Sequence, residues 1–493
     1  MKVGVIGAGL GGLSVAIRLA HKGYDVTVFE QSSTSGGKAG TLTLGNCRFD
    51  TGPSLITMIH VLEELFTDVQ ENISDYISLI KLPVICKYFY PDGTIINGFN
   101  SPALFAEEIE KTTLDSKDQI LNYLNYCKNI YNLSSDLFLG KSFGEISTFT
   151  NTNAIKTLLN FSGLDVFRTM DKANRTFFED EKTIQLFNRY ATYNGSSPYK
   201  VPATLNIIQH VEYGLGAYSA KGGVRAIAEG LEQLALKKGV QFVFNSTVQR
   251  IDTLGNRVTG ISANSQHHSF EKVVSNADVY FTYDKLLNDS VSPDAKRYKK
   301  LEPSTSALVF YWSVKGKRPE LEAHNILFTS HYKEEFSFLF ERGELYHDPT
   351  VYIYISSKFE PGDADENTEN WFVMINVPNT NVLKSEIDIS TVRKNIQKKI
   401  NSALAISIEN LVTEEHIMTP ADIEKNTNSK FGSIYGISSN SRNAAFMRQH
   451  NRSKHYKGLY FTGGSAHPGG GIPLVLLSGK ITAELIEKYK VAE

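Results

Sequence analysis

The spacing of apolar residues changes twice within the first 30 positions of the chain. An apolar run at 3–6 is typical of a buried strand, and apolar residues at 13, 16, 17 and 20 then recur at the spacing of one helix face. A second apolar run follows at 26–29. This pattern predicts a strand, a helix and a second strand that pack as one unit.

The same two patterns return further along the chain. A helical stripe at 224–235 precedes short strands predicted at 241–245 and 248–251. Near the end, a strand is predicted at 459–462, and a helix follows with its buried face on residues between 474 and 485. We expect these segments to belong to the same domain as the first unit.

Three further predicted strands, at 307–312, 351–355 and 371–375, are apolar on both alternating sets of positions. Such strands are covered on both faces, or one of their faces lies against an apolar cavity. We favour a sheet that forms the floor of an apolar pocket, and a plain hydrophobic core is the alternative.

Composition and charge narrow the function. The length of 493 residues predicts two or three intertwined structural units. Lys and Arg total 51 against 53 for Asp and Glu, a balance that disfavours nucleic-acid binding. The three cysteines lie far apart, so they predict neither a metal site nor disulfides, and a reducing cytoplasm is the simplest setting. No apolar run approaches the roughly 20 residues that span a bilayer.

A glycine motif of the GxGxxG type joins the first strand to the first helix. Its first glycine permits a tight turn, the second lets the backbone approach a pyrophosphate, and the third lets helix and strand pack closely. The helix N-terminus offers free N–H groups and a partial positive charge to phosphates, and a carboxylate at the end of the second strand suits ribose hydroxyls. The predicted dinucleotide contacts are Gly7, Gly9, Leu10, Gly11, Gly12 and Glu30.

The acidic residue at position 30 disfavours NADP but does not separate NAD from FAD. The stretches SGGKAGT (35–41) and FDTGPSLI (49–56) resemble the second characteristic segment of the flavin amine-oxidase superfamily. This resemblance implies FAD, with Lys38 against the pyrophosphate and the backbone of Val248 against the adenine. It also implies cofactor contacts from Gly37, Pro53, Ser54, Leu55 and Asn276.

The whole chain, to about residue 489, resembles the bacterial carotenoid desaturases, the phytoene-desaturase branch of the same superfamily. The motifs that carry this resemblance are GAGLGGL, GGKAG, SPYKVPA, KFGSIYG and LYFTGGSAHPGGGIP. The segments AHPGGGIP and ATYNGSSP look more like the 1-hydroxycarotenoid 3,4-desaturases than like phytoene or diapophytoene desaturases, which favour THPGAGVP. Desaturation of phytoene or of its shorter counterpart is the alternative.

The resemblance implies an α/β fold, in which a Rossmann-like FAD-binding domain of the amine-oxidase type is interleaved with an α+β substrate domain. The FAD domain is expected at 1–80, 211–284 and 421–493, and the substrate domain at 81–210 and 285–420. Segment 153–168 carries apolar residues with an interspersed lysine and arginine, which predicts a helical, membrane-facing part; a packed helix of the substrate domain is the alternative. Its apolar residues are Ile155, Leu158, Leu159 and Phe161.

A desaturase of this kind is expected to pass a hydride to the flavin and a proton to a base or to water. It needs a long apolar channel rather than a strong acid or base. The weak catalytic candidates are Glu212 and His467. The resemblance places Gly463 and Gly464 beside the cofactor. The helix that begins near Gly471 and Ile472 is expected to point its N-terminus at the isoalloxazine, where negative charge develops.

The sequence has no second dinucleotide motif, iron–sulfur cysteine set or haem motif, so the expected electron acceptor is external, either oxygen or a quinone. An insoluble carotenoid substrate implies a cytoplasmic protein that associates peripherally with a membrane surface. Two other functions of this fold compete with desaturation: amine oxidation and prenyl-group escort without catalysis. The HPGGGIP ending argues against the first, and the intact glycine motif with Glu30 argues against the second.

Overall fold

The computed structural model describes residues 1–52, 54–142, 145, 161–441 and 448–490. Pro53 and the first half of the predicted membrane-facing part, 153–160, lie outside these residues. Within the described ranges, no helix is both long and apolar enough to cross a membrane.

The strands alternate with helices in the first part of the chain and become longer in its centre. They are β1 (Lys2–Ile6), β2 (Asp25–Phe29), β3 (Thr41–Leu44), β4 (Cys47–Asp50), β5 (Leu79–Lys81), β6 (Val84–Phe89), β7 (Ile95–Phe99), β8 (Tyr218–Ala220), β9 (Gln241–Val243), β10 (Val248–Leu254), β11 (Arg257–Ala263), β12 (Gln266–Ser269), β13 (Lys272–Ser275), β14 (Ser306–Lys315), β15 (His324–Leu327), β16 (Val351–Ile355), β17 (Thr368–Val377), β18 (Val412–Met418) and β19 (Leu459–Phe461).

The main helices are separated by short 3-10 and π-helical turns, one of which, a π-helical turn, spans His210–Gly214. The helices are α1 (Leu10–His21), α2 (Ile59–Asp68), α3 (Pro102–Thr112), α4 (Lys117–Phe138), α5 (Met170–Asn174), α6 (Glu181–Asn188), α7 (Gly223–Lys237), α8 (Pro293–Lys300), α9 (Tyr332–Ser337), α10 (Ile389–Leu404), α11 (Pro420–Thr427) and α12 (Ile472–Lys488).

Five strands from distant parts of the sequence form one parallel sheet in the order β19-β13-β1-β2-β9. The apolar faces of α1, α7 and α12 share one hydrophobic core with β1 and β2, as the periodicity predicted. Helix α12 crosses α1 closely: a Cβ on Gly479 would lie 2.5 Å from Ser14 Oγ. The Ser14 hydroxyl donates to the Leu476 carbonyl at 2.8 Å, so the C-terminal helix is fixed against the first one.

The second large sheet has seven strands in the order β18-β14-β17-β16-β15-β6-β7. It is antiparallel except where β15 pairs with β6. Strands β14, β16 and β17 are buried along most of their length, which explains why their sequences are apolar on both alternations. One face packs on a core that includes α10.

The α/β fold class is confirmed by this arrangement of a parallel sheet with helices and a second, mixed sheet. The strands of the five-stranded sheet come from 1–80, 211–284 and 421–493, and those of the seven-stranded sheet come from the two intervening segments. The exact domain boundaries stay a prediction.

Candidate functional site

The turn between β1 and α1 is as tight as its glycines predicted. Gly7 has a φ of +93°, in the left-handed region that favours glycine. A Cβ on Gly12 would lie 2.1 Å from the Gly7 carbonyl oxygen, so a larger residue would push the helix away from the turn. Gly9 is the N-cap of α1 and has no side chain to cover the first N–H groups of the helix. This end of the helix is therefore open to a phosphate.

Glu30 follows β2 and lies beside the same turn. Its carboxylate accepts hydrogen bonds from the Ala8 N–H at 2.7 Å and from the Ser32 N–H at 2.9 Å. The residue is largely buried, yet it lines the main cavity of the protein. The backbone thus fixes the carboxylate at the position where a ribose would meet it.

Asn276, directly after β13, is wedged between the glycine turn and the C-terminal glycines. Its Nδ2 donates to the Gly7 carbonyl at 3.4 Å. A Cβ on Gly11 would lie 2.7 Å from Asn276 Oδ1, and a Cβ on Gly463 would lie 2.5 Å from the same atom. The chain comes together here from its beginning, its centre and its end, which explains why glycine occupies both of those positions.

The other predicted cofactor contacts converge on the same cavity. Gly37, with a φ of +58°, approaches the glycine turn so closely that its Cβ would lie 3.3 Å from Gly9 Cα. Lys38 donates from Nζ to the Ile434 carbonyl at 3.3 Å. The predicted contacts that line this cavity are Gly7, Gly9, Leu10, Gly11, Glu30, Gly37, Lys38, Ser54, Leu55, Val248, Asn276, Gly463, Gly464, Gly471 and Ile472.

The C-terminal glycines lie against an arginine that was not predicted from the sequence. The buried Arg448 guanidinium donates to the carbonyls of Tyr435 at 3.3 Å, Gly464 at 3.2 Å and Ile437 at 3.1 Å. A Cβ on Gly469 would lie 3.3 Å from this guanidinium. The arginine therefore holds the loop before α12 in place, and Gly471 serves as the N-cap of that helix.

His467 lies in this loop and lines the cavity. Its Nε2 is 2.9 Å from the Lys141 carbonyl oxygen. Burial lowers the pKa of His467 to about 3, so the ring is neutral and donates Nε2–H to that carbonyl. A ring with so low a pKa is a weak base at neutral pH. This geometry favours the backbone-anchoring role over proton transfer.

Glu212, the other catalytic candidate, lies in the π-helical turn and is fully buried. Its Oε1 accepts from Arg189 Nη2 at 2.9 Å and from the Tyr190 hydroxyl at 2.5 Å. Its Oε2 accepts from the Tyr193 hydroxyl at 2.6 Å. Arg189 and Tyr193 line the cavity, whereas Glu212 lies behind them. These contacts favour a structural role for its carboxylate, and a catalytic role stays a prediction.

The partners of Glu212 were not predicted from the sequence. Arg189 also donates to the Tyr88 hydroxyl at 2.6 Å, and its guanidinium lies 4.0 Å from the centre of the Tyr190 ring. Tyr88 is distant in sequence from the other members, so no local spacing announces the cluster. The motif ATYNGSSP, which served only as a family signature, begins directly after Tyr190 and contains Tyr193.

The cavity has a volume of about 1250 Å³ and continues from the glycine turn to the seven-stranded sheet. Apolar side chains of four strands of that sheet form much of its wall, and they are Ile85, Val309, Ile326, Phe372 and Met374. One space thus joins a phosphate-binding turn to an apolar wall.

The residues present fit FAD. The helix N-terminus, the fixed Glu30 carboxylate and the glycines at 7, 9 and 11 suit the dinucleotide, because side chains there would meet Asn276 or require a strained backbone. Gly471, whose Cβ would have no atom within 4 Å, leaves the backbone open beside the start of α12, where a ring system has room.

Comparisons with known proteins agree with this geometry. A family model described as flavin containing amine oxidoreductase matches residues 10–487. The 1-hydroxycarotenoid 3,4-desaturase of Flavobacterium sp. (strain P99-3) is 43% identical over 98% of this chain and 98% of its own length. The 4,4'-diaponeurosporene oxygenase of Staphylococcus haemolyticus (strain JCSC1435) is 32% identical over 98% of this chain and 97% of its own.

A solved structure of wild-type putrescine oxidase bound to putrescine shares the fold, with a TM-score of 0.65 and 11% identity. The superposition covers 99% of each chain. The predicted resemblance to carotenoid desaturases is confirmed by the 43% identity. The chain therefore belongs to the flavin-containing amine oxidoreductase family, and it is a FAD-dependent oxidoreductase.

Proposed function

We propose that this protein desaturates an acyclic carotenoid, introducing a double bond between carbons 3 and 4 of a 1-hydroxycarotenoid. The observation that carries the proposal is the apolar cavity, which is continuous with the glycine turn in a chain 43% identical over nearly its whole length to such a desaturase. A polyene needs an apolar enclosure that excludes water, and the wall of β14, β15 and β17 offers one.

FAD would be held by the glycine turn, Glu30 and Lys38 at its dinucleotide end and by the loop 463–472 at its ring end. When bound, it supplies the acceptor for the hydride that leaves the substrate. The protein contributes the positive end of α12, whose first N–H groups follow Gly471 and favour negative charge. The remaining proton passes to water or to a base, with the neutral His467 a poor acceptor.

The entry of substrate from a membrane surface belongs to the same proposal. Val166 and Phe167, the described end of the predicted membrane-facing part, line the cavity, and Phe167 is 66% exposed. An exposed aromatic side chain at a cavity mouth suits insertion into the headgroup region. Oxygen or a membrane quinone would then reoxidise the flavin.

Expression in bacteria that make either phytoene or a 1-hydroxylated acyclic carotenoid tests the proposed function. We expect new double bonds only in the hydroxylated pigment, seen as a longer-wavelength absorption and a mass lower by two hydrogens. Conversion of phytoene would overturn the 3,4-desaturase assignment and support the alternative. Purified protein without bound flavin and without activity on either pigment would refute the proposal that the protein is a desaturase.

A further inference from the structure

The hydroxyl of Tyr352 lies between the predicted cofactor segment and the apolar wall of the cavity. Tyr352, on β16, is half-buried and lines the cavity. Its hydroxyl oxygen is 2.8 Å from Nδ1 of His324 and 3.4 Å from Oγ of Ser54. Ser54 belongs to the loop in which a Cβ on Gly52 would lie 2.2 Å from the Lys38 carbonyl, so it is part of the predicted cofactor segment.

The position of the hydrogen on the His324 ring determines which group donates in the hydrogen bond between His324 and Tyr352. Its ring is buried and stacks on Tyr354 with the ring centres 4.8 Å apart. Burial, with the charge of Arg189, lowers the pKa of His324 to about 3, so the ring is neutral and carries one hydrogen. Among the described residues, Nε2 has no hydrogen-bond partner. Because an orphaned buried N–H is costlier than an orphaned acceptor, the hydrogen lies on Nδ1 and is donated to Tyr352.

The hydroxyl hydrogen of Tyr352 is then free for another acceptor. Burial raises the pKa of Tyr352, so the group stays protonated. Ser54 Oγ, at 3.4 Å, is beyond the usual O–H···O distance of about 2.5–3.0 Å, so a closer oxygen would displace it. The neighbouring wall residues Ile326, Phe372 and Met374 are apolar. A donor in such a wall is costly unless the ligand brings an oxygen to it.

We propose that the Tyr352 hydroxyl, oriented by His324, donates a hydrogen bond to the 1-hydroxyl oxygen of the substrate and thereby selects hydroxylated carotenoids. The inference rests on the proposed function. In such a substrate, one carbon separates the carbon that bears the hydroxyl from the first carbon that is desaturated. A contact to the hydroxyl must therefore lie close to the reacting bond, and so close to the flavin. Tyr352 meets this requirement because its hydroxyl is 3.4 Å from Ser54, a predicted cofactor contact.

The substitution Tyr352→Phe tests the proposal, because it removes the hydroxyl and keeps the ring. The matched control is Tyr346→Phe, which removes a hydroxyl that donates to Glu334 at 3.1 Å and does not line the cavity. Both FAD-loaded variants are assayed in lipid vesicles with a 1-hydroxylated acyclic carotenoid and with its non-hydroxylated counterpart. The dissociation constant of each carotenoid is measured in parallel from its absorption shift on binding.

For Tyr352→Phe we expect roughly a 2- to 10-fold loss in affinity and in kcat/KM for the hydroxylated carotenoid, the range of one neutral hydrogen bond. The non-hydroxylated carotenoid and the control variant should show no such change. An equal loss for both carotenoids, or no loss for either, would overturn the proposal. If the wild-type enzyme converts neither carotenoid, the proposed function fails, and equal wild-type affinities for the two would then overturn this inference as well.

Discussion

The five-stranded and seven-stranded sheets both contribute to one cavity, but one contributes mainly backbone to its wall and the other mainly side chains. Around the parallel sheet the wall is backbone: a Cβ on Gly11, Gly12 or Gly463 would lie within 3 Å of an existing atom. Around the mixed sheet the wall consists of side chains. One of them is Arg189, and its ion-pair partner Glu212 lies behind it; the two side chains are 4% and 0% exposed.

The difference follows from what each wall has to bind. A pyrophosphate and a flat ring system need N–H groups and close approach, which only a bare backbone offers. A polyene offers no hydrogen bonds, so its wall depends on shape, and shape depends on how the side chains behind it are held. The wall at the parallel sheet, here called the cofactor side, should therefore be sensitive to substitutions that add atoms. The wall at the mixed sheet, the substrate side, should be sensitive to substitutions that remove a hydrogen-bond or ion-pair partner.

The largest effect should come from the substrate side, with Glu212→Gln. This change leaves the buried Arg189 charge without its anion, so we expect the free energy of unfolding to fall by about 3–5 kcal/mol. Urea denaturation followed by circular dichroism measures it. The control is Glu181→Gln, which breaks the exposed pair with Arg175 and should cost at most about 0.5 kcal/mol. Unchanged stability with lost desaturation would instead make Glu212 catalytic.

The same contrast explains how much could be predicted from the sequence. The glycines at 7, 9 and 12 and the acidic residue at 30 occupy fixed distances along the chain, because one local turn creates their geometry. Strands β1, β2, β9 and β19 and helices α1, α7 and α12 were predicted from local hydrophobic patterns, whereas β13, which lies between β19 and β1, was not. Arg189 and Tyr352 line the cavity and Tyr88 accepts a hydrogen bond from Arg189, yet the three come from separate segments that only the tertiary packing brings together. No spacing in a single sequence encodes such a meeting.

Adding one methyl group to the cofactor side should have the next largest effect. In Gly12→Ala the new Cβ would lie 2.1 Å from the Gly7 carbonyl oxygen, so turn and helix must separate. We expect a loss of about 3 kcal/mol in stability and of most bound FAD. Flavin absorbance per protein and urea denaturation measure both. In Gly362→Ala, where no atom lies within 4 Å, both should stay at the wild-type level; equal behaviour of the two variants would refute the tight turn.

A smaller effect appears on acidification, and it has opposite signs in different groups. Burial lowers the pKa of both His467, in the cofactor loop, and His324, in the substrate wall, to about 3. Between about pH 3 and their unfolded pKa of about 6.5, the unfolded chain binds more protons, so stability falls as the pH falls. Burial raises the pKa of Glu335 to about 7, so its contribution is present below about pH 4.5 and is lost as the pH rises through 7.

Single substitutions separate these contributions. At pH 5 each histidine costs about 2 kcal/mol relative to pH 7, since one pKa unit corresponds to about 1.4 kcal/mol. The fall in stability from pH 7 to pH 5 should therefore be about 2 kcal/mol smaller in His324→Gln and in His467→Gln than in the wild type, whatever each variant loses at pH 7. Urea titrations at both pH values give the difference. If only His467→Gln flattens the profile, the ring of His324 is open to water, and the substrate wall is less tightly closed than the cofactor loop.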